Sequence, residues 1–157
     1  MFLIAAAAAL AVPPVAADGQ GTPIAGAWRL IRHLPIVEGP VCVARAGGED
    51  ANMDIMLNRD GEPILVAARP DWNLRGALAV GLAIDDDPVR KLEGQSVANL
   101  VLVRLSDTAL VERLRRARTL AWSLPFGRFR TSVAEFGAAL DAIRACQAAD
   151  AKAGKPT

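Results

Sequence analysis

Few side chains in this 157-residue sequence are equipped for chemistry, and they fall in a few places. There is one histidine, His33, and two cysteines, Cys42 and Cys146. An acidic run, Asp85-Asp86-Asp87, precedes Pro88. Arg113, Arg115, Arg116 and Arg118 lie in one stretch, and Arg128 and Arg130 flank Phe129 shortly after. A hydrolytic triad would need His33 as its base. No G-x-S-x-G motif accompanies it, and "GQSVAN" lacks the second glycine of a nucleophile elbow. A lone histidine in a strand reads as structural. The three aspartates lack the spaced oxygen ligands of a calcium loop and read as a solvated turn. Two cysteines and a histidine without short spacing make no zinc site, and no glycine-rich phosphate loop occurs. No catalytic residue, metal or cofactor is therefore expected.

The arginines carry more information. If the segment from Arg113 to Arg118 and the segment from Arg128 to Arg130 are neighbours, they form a cationic patch with Phe129 inside it. Such a patch suits an anionic envelope polymer or an acidic protein surface. The other reading is a solvated helix face that balances nearby acids. On either reading these side chains are exposed, so Arg115→Glu with Arg116→Glu should leave folding intact.

The composition narrows the function classes. With 52% hydrophobic residues, the chain can bury the core of one globular domain. A formal net charge of +1 and the absence of tyrosine argue against nucleic-acid binding. The first 17 residues, "MFLIAAAAALAVPPVAA", are apolar and uncharged. They are short for a membrane span, and Pro13-Pro14 would end a helix there. Val15 and Ala17 are small residues at −3 and −1 of a signal-peptidase site, so cleavage is expected after Ala17, with Asp18 as the new N-terminus. The leading segment carries no Lys or Arg, which departs from the usual pattern. A buried N-terminal helix is the other reading. The expected organisation is a signal peptide over 1–17, one domain over 18–149 and a flexible tail over 150–157. After cleavage the expectation is a monomer with no membrane span, periplasmic or secreted.

Export changes how the cysteines read. In an oxidising compartment an isolated pair is most simply a disulfide, whereas two buried thiols would suit the cytosol. "SVAEFGAALDAIRACQAA" reads as an amphipathic helix. Ser132 and Glu135 have the spacing of a capping box. Val133, Phe136, Leu140 and Ile143 form an apolar stripe, which Cys146 continues. A bridge from Cys146 to Cys42 would clip that helix to an early strand.

The rest of the chain must supply the surface on which this helix docks. "AWRLIRHLP" and "GPVCVARAGG" alternate as strands, following a flexible lead, "DGQGTPIAG". "NMDIMLNRDGEPILVAA" reads as a hairpin turning at Asp60-Gly61. In "ALAVGLAIDDDP", Leu78, Val80, Leu82 and Ile84 share one face and small residues line the other. "SVANLVLVRL" reads as one continuous strand. "SDTALVERLRRAR" switches to helical period with Ser106 or Asp107 as its cap. "TLAWSLPF" reads as a last strand, followed by a basic loop, "GRFRTS". These elements predict an α+β domain, mainly antiparallel β, with about seven strands in a sandwich or partly open barrel. The C-terminal helix packs on it, and a shorter helix precedes the last strand.

Four stretches together resemble the invasion-associated locus B family of exported bacterial proteins. They are Trp28 to Cys42, "DWNLRGALAVGLAIDDDP", "ALVERLRRARTLAWSL" and "AEFGAALDAIRAC", and they span most of the chain after residue 17. The family has an early Trp strand followed by a Cys, a "W-x-L…G-x-x-L-x-I-D" segment, a helix leading to a last strand, and a terminal "G-F-x-x-A-L-x-A-L" helix. The family usually carries a Cys after the central turn, and "QSVANLVLVRL" has none. The resemblance implies a non-enzymatic envelope or secreted protein, linked by the family's name to host-cell invasion. Three function classes follow. The favoured one is an exported binding or accessory protein. The alternatives are an inhibitor or immunity-type protein against a secreted enzyme, and a small enzyme whose site has no recognisable motif.

Overall fold

A computed structural model describes residues 21–32, 41–48 and 50–154. The expected signal peptide and His33 lie outside the described residues. The described residues form one antiparallel sheet of ten strands and two helices. In chain order these are β1 (Thr22–Pro23), β2 (Trp28–Arg32), β3 (Cys42–Ala46), β4 (Asn52–Leu57), β5 (Pro63–Ala68), β6 (Leu74–Ile84), β7 (Arg90–Ala98), β8 (Leu100–Arg104), α1 (Thr108–Leu114), β9 (Thr119–Leu124), β10 (Gly127–Ser132) and α2 (Phe136–Ala153). The spatial order is β1-β2-β3-β4-β5-β8-β7-β6-β9-β10. The architecture is that expected, with three more strands than the sequence reading counted.

Each added strand has a local cause. Thr22 and Pro23, expected in a flexible lead, pair with Leu30 and Arg29. The stretch read as one strand over "SVANLVLVRL" is broken by a tight turn at Ala98 and Asn99, so that Val97 faces Leu100. Ala98 enters that turn at φ 52°, a left-handed conformation costly for a residue with a Cβ. Ala-Asn is a weak turn signal, and only the pairing of β7 with β8 imposes it. "GRFRTS", expected as a loop, pairs residue for residue with β9 and is β10. Strand β7 starts at Arg90 and contains Gly94. A Cβ at Gly94 would stand 2.6 Å from Val80 Cγ2 and 3.2 Å from the Leu102 carbonyl, so the two flanking strands require glycine there.

The sheet coils so that its two ends face each other without closing. Met53 Sδ on β4 lies 3.5 Å from Thr131 Oγ1 on β10, although these strands stand far apart in the hydrogen-bonded order. The Trp28 indole N–H donates to the Ala134 carbonyl at 2.7 Å, tying β2 to the segment after β10. The fold is thus a single coiled sheet, closer to a partly open barrel than to two separate sheets. Its interior takes Leu65, Leu82, Val103, Leu120 and Trp122, all essentially without solvent contact. At about 25 cal/mol per Å² of apolar area, burial of this kind is the main stabilising term.

The two helices start differently from one another. Asp107 caps α1, its carboxylate accepting from the Ala109 and Leu110 N–H groups. The capping box expected for α2 does not form. Ser132 is the last residue of β10, paired with Thr119, and the Val133 N–H donates to the Arg118 carbonyl, which prolongs the ladder. The helix therefore begins at Phe136, after Glu135 at φ 63° with no side-chain cap bond. The apolar stripe is as expected: Val133, Phe136, Leu140, Ile143 and Cys146 are all buried. At its other end α2 continues through Ala153, so residues 150–153, expected in a tail, are helical.

Candidate functional site

Helix α2 packs against β2, β3 and β4. Phe136 meets Trp28 edge to face, with centroids 6.4 Å apart. At the far end Cys146 is bonded to Cys42, the first residue of β3, with Cα atoms 6.1 Å apart. That spacing suits a disulfide. Asp150, one turn beyond Cys146, brings Oδ2 to 3.5 Å from Cys42 Sγ. A bridged sulfur has no hydrogen to donate, so this is a contact and not a hydrogen bond. The expected clip is present, and its chemistry is structural.

The structure divides the arginines expected to form one patch. Arg113, on α1, reaches the β6–β7 turn, where its guanidinium bonds Asp87 at 2.9 Å and Asp85 at 3.3 Å. These carboxylates hold it above its ordinary pKa, Asp87 contributing most. Arg115 donates to Asp141 on α2 at 3.1 Å and lies 3.4 Å from Glu112. It rests across the first turn of α2, where Gly137 makes room; a Cβ there would stand 3.3 Å from the guanidinium. Arg128 and Arg130 are on β10, and Phe129 between them points the other way, into the core. Phe129 stacks on Trp122, centroids 5.5 Å apart and planes 11° apart. The aromatic is therefore not inside a cationic patch, because strand alternation puts it on the opposite face.

Arg116 and Arg118 remain exposed, and no described acid lies within ion-pair distance of either. Together with Arg115, Gly137 and Glu135 they line a cavity of about 310 Å³ between the end of α1 and the start of α2. Here Arg115, Arg116 and Arg118 from the expected set share a hollow. Two guanidiniums without carboxylates can hold a phosphate, sulfate or carboxylate group by charge-assisted hydrogen bonds.

Asp85, expected in a solvated turn, is instead an internal acceptor. Its carboxylate receives the Thr119 N–H at 2.9 Å and the Arg118 N–H at 3.0 Å, besides pairing with Arg113. The two backbone donors are the main cause of its lowered pKa, with Arg113 adding to them. It joins the end of β6 to the start of β9 and occupies its oxygens with protein donors.

A second hollow, of about 220 Å³, was not legible in the sequence. Trp72 lies edge-on to Phe126, centroids 5.5 Å apart, and against Phe129 at 5.8 Å. Arg69, paired with Asp71 through two 3.0 Å bonds, covers Trp72 at 5.9 Å from the ring. Arg128 lines the other side. These residues come from the β5–β6 connection and the β9–β10 turn, and only the coiling of the sheet makes them neighbours.

Known proteins agree with this fold. The chain is similar in structure to invasion associated protein B from Bartonella henselae, with a TM-score of 0.56 and 20% identity. The similarity covers 78% of this chain and 95% of that one. At that identity the two share a fold, and the family resemblance seen in the sequence is met at that level. No family model matches the chain, and no curated protein matches it in sequence. No helix among the described residues is long and apolar enough to cross a membrane.

Proposed function

We propose that this is an exported, non-enzymatic binding protein of the bacterial envelope that holds an anionic group of an envelope polymer between Arg116 and Arg118. The observation that carries this reading is the pair of unpartnered guanidiniums in one cavity, beside Arg113 and Arg115, which are both neutralised. Export is supported by the Cys42–Cys146 bridge, which persists in an oxidising compartment. The fold shared with invasion associated protein B supports a role at the surface where bacterium and host meet.

The test is titration of the chain from Asp18 onward with purified lipopolysaccharide at two salt concentrations. Binding should be saturable and should weaken as salt screens the arginines. Arg116→Glu with Arg118→Glu should abolish it while circular dichroism stays unchanged. Binding that survives this double substitution would overturn the site. Fractionation by osmotic shock tests export: a cytoplasmic pool with two alkylatable thiols would overturn it.

A further inference from the structure

The sheet ends at β10, and no described strand pairs with its outer edge. Neighbouring bonds show which backbone groups face that edge. The Arg118 carbonyl accepts from the Val133 N–H on the β10 side, and the Thr119 carbonyl accepts from the Asp85 N–H on the β6 side. Even-numbered residues of β9 therefore bond toward β10 and odd-numbered ones toward β6. Their partners alternate in the same way. Gly127, Phe129 and Thr131 spend their backbone groups on β9, because they face Leu124, Trp122 and Leu120. Arg128, Arg130 and Ser132 turn their N–H and C=O groups outward, and all three side chains are exposed. The edge thus offers a row of backbone donors and acceptors together with two guanidiniums that have no described acidic partner. The hollow beneath Phe126 opens at the start of the same strand.

We propose that β10 is the docking edge for an extended acidic segment of a partner protein, which adds to the sheet as a further antiparallel strand. Charge complementarity selects this occupant. A second copy pairing β10 with β10 would set arginines against arginines, an arrangement that keeps sheet edges from self-association. In an added strand, the side chains opposite Arg128 and Arg130 share their face, and carboxylates there complete two ion pairs. The side chain opposite Phe129 turns to the other face, toward the hollow, where an aromatic or aliphatic group meets Phe126, itself 47% exposed. Main-chain bonds then give affinity, while the arginines and the hollow give selectivity. β10 contributes no residue to the lining of the cavity at Arg116 and Arg118, which begins just beyond its C-terminal end.

The probe is a capped peptide alternating glutamate with valine, with one phenylalanine between its central glutamates, titrated onto the chain from Asp18 at low salt. Saturable binding is expected, weakened roughly tenfold or more by Arg128→Glu with Arg130→Glu. The same peptide N-methylated on alternate amides should lose binding, as should the lysine counterpart of the peptide. Arg130→Pro should also weaken binding, since it removes an outward N–H and no β9 bond. Arg116→Glu with Arg118→Glu should leave peptide binding intact, which separates this proposal from the polymer site. Absence of binding would overturn the proposal. Equal affinity for the N-methylated peptide would also overturn it, because charge alone would then suffice. Dimerisation of the free chain that Arg130→Pro relieves would give the edge to a second copy instead.

Discussion

Helix α2 is held to β2–β4 by apolar contact and a covalent bond, whereas α1 buries Leu110, Val111 and Leu114 and adds ion pairs to the β6–β7 turn. Phe136, Leu140 and Ile143 seat α2 in the interior, and Cys146 locks its far end. On the other side Arg113 bridges to Asp85 and Asp87, while Arg90 reaches the Asp107 cap at 2.8 Å. The bridge is indifferent to pH and sensitive to reductant; the ion pairs are the reverse. A protein so built keeps its helix docked in an oxidising, mildly acidic medium. It loosens from different sides under reductant or as pH falls through the folded carboxyl values.

Removing the bridge should have the largest effect. The bond closes a loop of 104 residues, and chain-entropy arguments value such a closure at roughly 4–5 kcal/mol. Cys42→Ala with Cys146→Ala should lower the urea midpoint accordingly, and amide exchange should show α2 fraying before the sheet. A loss below about 1 kcal/mol would mean that packing alone holds the helix. Next comes Leu140→Ala, which empties a fully buried position under α2 and should cost about 3 kcal/mol. If bridge and stripe act on one element, this loss should be non-additive with removal of the cysteines, as a double-mutant cycle would show.

The charged side should respond to acid. Asp85 is held below the ordinary carboxylate range by the Thr119 and Arg118 N–H groups, then by Arg113. Asp107 is held below it by the Ala109 and Leu110 N–H groups, then by Arg90. A carboxyl with a lower pKa folded than unfolded stabilises the fold above its unfolded value, near pH 4, and loses that contribution as pH falls through the folded value. Urea midpoints should therefore decline below about pH 4. Asp85→Asn should be less stable at neutral pH and show a shallower decline. An unchanged acid profile would mean that the buried Leu110, Val111 and Leu114 hold α1 without a measurable contribution from the ion pairs.

The smallest effect on stability should come from Arg116→Glu with Arg118→Glu, within about 0.5 kcal/mol, because both side chains are exposed and unpaired. Arg115→Glu sharpens the contrast. It puts a carboxylate beside Asp141 and Glu112 and breaks the link between α1 and α2, so it should destabilise more than the Arg116 and Arg118 pair. This corrects the expectation that Arg115 and Arg116 are equivalent exposed positions.

Side-chain period and residue chemistry along the chain determined the class of fold, the stripe of α2, the Asp60-Gly61 turn and the pairing of Cys42 with Cys146. Each depends on a local pattern: alternation for strands, a helical stripe for α2, and only two cysteines to pair. Where the pattern was weak the structure decided. The turn at Ala98 and Asn99 exists because β7 and β8 must pair, and Ser132 is extended because the ladder with β9 outlasts the capping signal. The arginines show the same limit. Their spacing marks them as cationic, but which ones stay cationic depends on acids brought close by the fold. Asp85 and Asp87 neutralise Arg113, and Asp141 neutralises Arg115, each from another element. The hollow of Trp72 and Phe126 likewise exists only after the sheet has coiled. Sequence sets local conformation and chemistry; which charges are cancelled and which aromatics meet is a property of long-range contact.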